Sequence, residues 1–103
     1  MLAARTTAFL RGVAIVALLF AAGCESMPVQ EMSDARQAIT AAKEAGAEEY
    51  AAEELLAAEE FLHSAEKYLN SRNYAVARKE ALEAKAQAID AMRRSEASRE
   101  DEN

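Results

Sequence analysis

Between Ala51 and Ala91 the chain keeps to one rule: small or apolar residues recur at alternating steps of four and three. Ala51, Leu55, Ala58, Leu62, Ala65 and Leu69 make one series, and Ala77, Ala81, Ala84, Ala88 and Ala91 make the other. Such steps return a side chain to the same face of an α-helix, whereas a half-buried strand needs steps of two. A helix with an apolar seam must bury it against another element, which leaves few folds open. Alanine on one side allows close approach and leucine on the other fills the space, so the two series predict an antiparallel pair.

The rest of the chain agrees. Of the 80 residues after Gly23, 19 are alanine, and Glu, Lys, Arg, Gln and Leu supply most of the others. These are good helix formers. Gly46 and Pro28 are the only glycine and proline after that point, and no alternating β-type run occurs. The expected fold class is all-α: a small antiparallel helical hairpin or three-helix bundle. The first helix is expected from about Val29–Ser33 to Ala45, with Met32, Ala35, Ile39 and Ala42 on one face. Asp34 and Gln37 would act as its capping pair and Gly46 as its C′ residue. A second helix is expected over 47–70, its seam widened by Phe61 and Tyr68, and a third over 73–97 with Leu82 and Ile89 beside the seam. The short connections "GA" and "NSRN" favour antiparallel neighbours. The polar end "SEASREDEN" is expected to fray, with 98–103 as a tail. The second helix carries seven Glu against Lys67, while residues 73–94 carry five bases against three acids, so charge favours the same pairing.

The first residues obey different rules. Arg5 and Arg11 precede an uncharged apolar run, "GVAIVALLFAA" (12–22), with no acid nearby. That run suits a signal-peptide core of about 7–15 residues and is short of the roughly 20 that a spanning helix needs. Ala21, Ala22 and Gly23 then lead into Cys24, the chain's only cysteine. A lone thiol cannot staple a fold and is a hazard in an oxidising compartment. The position resembles the lipobox of bacterial lipoproteins, although Ala21 stands where a larger aliphatic is usual. The resemblance implies cleavage between Gly23 and Cys24, diacylglycerol on the Cys24 thiol and acylation of its amino group. Several acyl chains would hold the chain at a membrane far better than one. In that family an Asp after the cysteine tends to retain the protein in the inner membrane. Glu25 therefore implies the outer membrane, facing the periplasm. The expected organisation is a cleaved signal peptide over 1–23, a lipidated tether over 24–30, an Ala-rich helical domain over 31–97 and the tail.

The stretches "AGAEEYAAEELLAAEEFL" (45–62) and "LNSRNYAVARKEALEAKAQA" (69–88) resemble the domain-of-unknown-function family 4398, an Ala-rich helical domain of envelope lipoproteins. Its pattern has an Ala-Gly-Ala turn, Tyr-Ala-Pro, Glu-Leu, and a Gly-Asp-Tyr-like turn. Ala45-Gly46-Ala47, Tyr50-Ala51, Glu54-Leu55 and Tyr74 fit, while Ala52 replaces the proline and Arg72-Asn73 replace Gly-Asp. The resemblance covers about residues 30–95. It implies an envelope location and a helical fold, and no chemistry. Some members carry a following peptidoglycan-binding domain, which this sequence does not show.

Candidate sites are few. His63 and Glu60 give one E-x-x-H, but a di-iron bundle needs two such motifs and two further inward Glu. Lys67, one turn on, would repel a cation, and His63 is expected to face solvent. No metal, cofactor or catalytic residue is expected: there is no Gly-rich phosphate loop, no nucleophile context, and nothing to desolvate the many Glu. Phe61 and Tyr68 are expected in the core, leaving Tyr50 and Tyr74 near helix ends as candidate partner-facing residues. With Arg5 and Arg11 in the leader, the remainder has 18 acids, 10 bases and a net charge of −8, which argues against nucleic acid or anionic lipid as partners. Two functions are expected ahead of any enzyme. One is a lipid-anchored periplasmic module that docks another envelope protein. The other is a self-associating coiled-coil spacer, a homo-oligomer. The Asp101-Glu102-Asn103 end, lacking a terminal lysine, argues against covalent peptidoglycan linkage.

Overall fold

The computed structural model describes residues 26–103; the expectations for the leader, Gly23, Cys24 and Glu25 lie outside them. Four helices account for the described residues: α1 (Val29–Glu44), α2 (Ala47–Tyr50), α3 (Ala52–Asn70) and α4 (Tyr74–Glu102). The fold is all-α. α1 rises, α3 descends and α4 rises again, with α4 packed along both of the others.

The 4–3 seams become the core. Met32, Ala35, Ile39 and Ala42 of α1 are buried, as are Leu55, Ala58 and Ala65 of α3. On α4, Ala77, Ala81, Ala84, Ala88 and Ala91 have no exposed surface at all. One layer joins Met32, Ala65 and Ala81, with Leu62 and Leu69 against it. The other joins Ile39, Ala42, Leu55, Ala58, Ala88 and Ala91. Methyl-only side chains along the whole of α4 let two helices lie against one shared rib.

Among the described residues five ion pairs cross between helices, mostly at half-exposed positions where each contributes about 0–1 kcal/mol. Only Arg94–Glu54 (2.8 Å) joins α3 to α4. Arg36–Glu66 (3.4 Å) and Lys43–Glu59 (3.0 Å) join α1 to α3, and Arg78–Glu31 (3.2 Å) and Lys85–Asp34 (3.9 Å) join α4 to α1. The acidic face of α3 is therefore answered largely by α1, not by α4 alone.

Several local expectations are corrected. The helix expected over 47–70 breaks at Ala51, whose φ −148° and ψ 48° leave the helical region. The break turns α2 onto the end of α4, and both Ala47 and Ala51 enter the core. Asp34 and Gln37 do not cap a helix. α1 begins at Val29, within the expected range and after the buried Pro28, and Asp34 lies in its second turn, accepting from Gln30 while Gln37 donates to Ser33. The end of the chain is helical to Glu102, because α2 gives α4 something to pack on beyond the end of α3. There Ser95 is fully buried, its hydroxyl donating to the Ala91 carbonyl at 2.7 Å. Tyr68 and Leu82, expected in or beside the core, are 38% and 51% exposed. With α4 all alanine at its seam, the helices approach too closely for flanking large side chains to turn inward.

Candidate functional site

Two chain reversals carry the sequence features singled out for function. At the first, Gly46 stands at φ 96° and its N–H donates to the Lys43 carbonyl at 3.0 Å, closing α1. Its own carbonyl accepts from Glu49 and Tyr50 and so opens α2. The ring of Tyr50 lies over this glycine, close enough that a Cβ would meet its Cδ2 at 3.2 Å. The Tyr50 hydroxyl donates to a Glu102 carboxylate oxygen, and Arg99 donates to the Ala45 carbonyl at 3.4 Å. The hydrogen bond to Glu102 holds the Tyr50 phenol above its ordinary value, helped by burial and by the nearby negative charge. Tyr50 thus ties α2 to the end of α4, and its hydroxyl is engaged within the chain.

Tyr74 opens α4 at the second reversal. The 28 residues that separate it from Glu102 put it roughly 42 Å from Tyr50 at 1.5 Å per residue. The structure does not bring the two candidate partner-facing tyrosines into one patch. The turn before Tyr74 is a Schellman motif: Asn73 N–H donates to Tyr68 O at 2.9 Å and Arg72 N–H to Leu69 O at 3.0 Å. Its left-handed position, φ 62°, is filled by Arg72.

The start of the domain is fastened to this same end. Arg78 donates through one guanidinium nitrogen to the Ser26 carbonyl at 2.8 Å and through another to Glu31 at 3.2 Å. Nothing in residue spacing signalled Arg78, since its partners lie 52 and 47 positions away.

α1 covers one side of the α3–α4 pair. Among the described residues nothing covers the other side, which holds a shallow groove of about 260 Å³ lined by Ala57, Glu60, Phe61, Ser64 and Glu80. Phe61 is half-buried there, neither fully in the core as expected nor free. His63 is exposed, as its helical position required. Among the described residues, no three His, Cys, Asp or Glu converge as metal ligands, and no helix is long and apolar enough to cross a membrane. Lys43, hydrogen-bonded to Glu59 and close to its charge, is held above the ordinary lysine value.

Against known proteins, residues 30–103 match the family described as Domain of unknown function (DUF4398). The chain belongs to this family. The DUF4398 match reaches Asn103, so the helical end of α4 is part of the domain. No curated protein and no solved structure matches the chain. For this DUF4398 chain the route to function therefore runs through its own residues.

Proposed function

We propose that this DUF4398 chain is a lipid-anchored, non-catalytic helical module of the bacterial cell envelope that docks another envelope protein. Cys24 would carry diacylglycerol and an N-acyl chain, with cleavage after Gly23, and Glu25 would direct it to the outer membrane, facing the periplasm. The observation that carries the docking role is the closure of all three seams inside one chain while, among the described residues, nothing covers the α3–α4 side opposite α1. A spacer assembled as a coiled coil would need a seam to share, and the seams of α1, α3 and α4 are used on one another. The leader sequence supports the anchor, and no covalent bond to peptidoglycan is invoked.

Two measurements test this reading. The mass of the N-terminal peptide from the membrane fraction should equal lipidated Cys24 with nothing before it; an intact leader or a free thiol sinks the anchor. Sedimentation across a concentration range, of residues 25–103, should give a monomer throughout. A dimer or trimer would replace docking by the self-associating spacer.

A further inference from the structure

Charge is distributed unevenly along the axis of the bundle. Residues 67–79, "KYLNSRNYAVARK", hold four bases and no acid, and no other acid-free run among the described residues is as long. They make the last turn of α3, the α3–α4 turn and the start of α4. The opposite end, built from 44–49 and 96–102, holds seven acids against Arg99. A net charge of −8 spread over the whole hides this polarity. Among the described residues Lys67, Arg72 and Lys79 make no ion pair, while Arg78 is shared between Glu31 and the Ser26 carbonyl. Of the acids flanking the run, Glu66 pairs with Arg36, while Glu80 makes no ion pair among the described residues and lines the groove beside Phe61.

Three of the five exposed large apolar side chains among the described residues lie at the same end, Leu56 and Leu82 being the other two. Met27 is 52% exposed, Val29 65% and Tyr68 38%. Tyr74 sits beside them, half-buried, at the first position of α4. Long basic side chains around exposed aliphatic and tyrosine side chains match the boundary of a bilayer, where rings lie among headgroups and cations reach phosphate. Ser26, held here by Arg78, is two residues from Cys24.

The geometry points to the α3–α4 turn end of the bundle as a membrane-facing surface that takes the phosphate headgroups of anionic phospholipid, standing the domain upright with its acidic end outward. The orientation rests on the anchor reading above; the surface itself stands on Lys67, Arg72, Lys79 and their apolar neighbours. Each basic side chain at an anionic surface strengthens association about fivefold.

The test is lysine acetylation of the full chain, purified from membranes and reconstituted in vesicles of phosphatidylcholine alone or with phosphatidylglycerol added. On the mixed vesicles Lys67 and Lys79 should react at least about fivefold more slowly than on phosphatidylcholine, while Lys43 and Lys85 keep their rates. Salt at 0.5 M, as an order-of-magnitude choice, or Arg72→Glu should restore the rates. Slowing that is equal at all four lysines, or absent, overturns the proposal. The mass of the Cys24 peptide in the same sample separates the two readings. Lipidated Cys24 with unprotected Lys67 and Lys79 retains the anchor and removes the surface. Unmodified Cys24 with Lys67 and Lys79 protected retains the surface and removes the anchor.

Discussion

Arg72 occupies a backbone position, φ 62°, that a residue with a Cβ enters at a cost, and the family's turn pattern places glycine there. Arg72→Gly should raise stability by about 0.5–1 kcal/mol, the relief of the left-handed strain exceeding the added entropy of the unfolded chain. Gly46, at φ 96° beneath the Tyr50 ring, should answer the opposite way. Gly46→Ala should cost about 1–2 kcal/mol in urea unfolding, because the new methyl meets both strain and an aromatic edge. Tyr50 and Lys43 each make stability fall at alkaline pH. Both groups are held above their ordinary values, so the stability they contribute is complete below pH about 10 and falls as pH rises through their folded-state values. Thermal melts between pH 9 and 12 should fall more gently for Tyr50→Phe than for the parent, since phenylalanine has no proton to lose beside Glu102.

At the scale of the helix, the break at Ala51 shows where reading by period stops. The 4–3 rule located every buried seam position of α1, α3 and α4 that the structure contains except Ser95, because each helix repeats its signal over several turns. The break is a single event with no repeat to reveal it. Its trace was the Tyr-Ala-Pro pattern, in which proline falls on the first residue of α3, a position that needs no N–H partner. Here that residue is Ala52. Ala52→Pro should therefore stabilise the fold by about 0.4–1 kcal/mol in thermal or chemical unfolding, whereas a helix continuous through 47–70 would be broken by it. The end of α4 escapes a reading by sequence for a related reason. "SEASREDEN" is polar, but Arg99 and Glu102 gain partners from residues more than 50 positions earlier, Ala45 and Tyr50, and a window along the chain does not see across the bundle. Tyr50 and Tyr74 were singled out by nearness to helix ends, which says nothing of what stands opposite. The basic end was legible, had charges been placed along the folded axis and not merely summed.

For the molecule as a whole, a rib of methyl groups makes tight packing the main asset and leaves little room for larger side chains. Ala84→Leu should cost about 1–3 kcal/mol, read as a lower urea midpoint, because α1 and α3 both close on that strip. The arrangement also has a mechanical side. Any pull applied through Ser26 enters α1 at its first turn and α4 through Arg78. Since α1 and α4 run in the same direction, tension between that point and a load at the far end slides the two helices along each other. Sliding loads every contact of the interface at once, whereas peeling would open them one by one. A bundle fastened in this way resists stretching along its axis and yields to sideways prising, so its strength is directional.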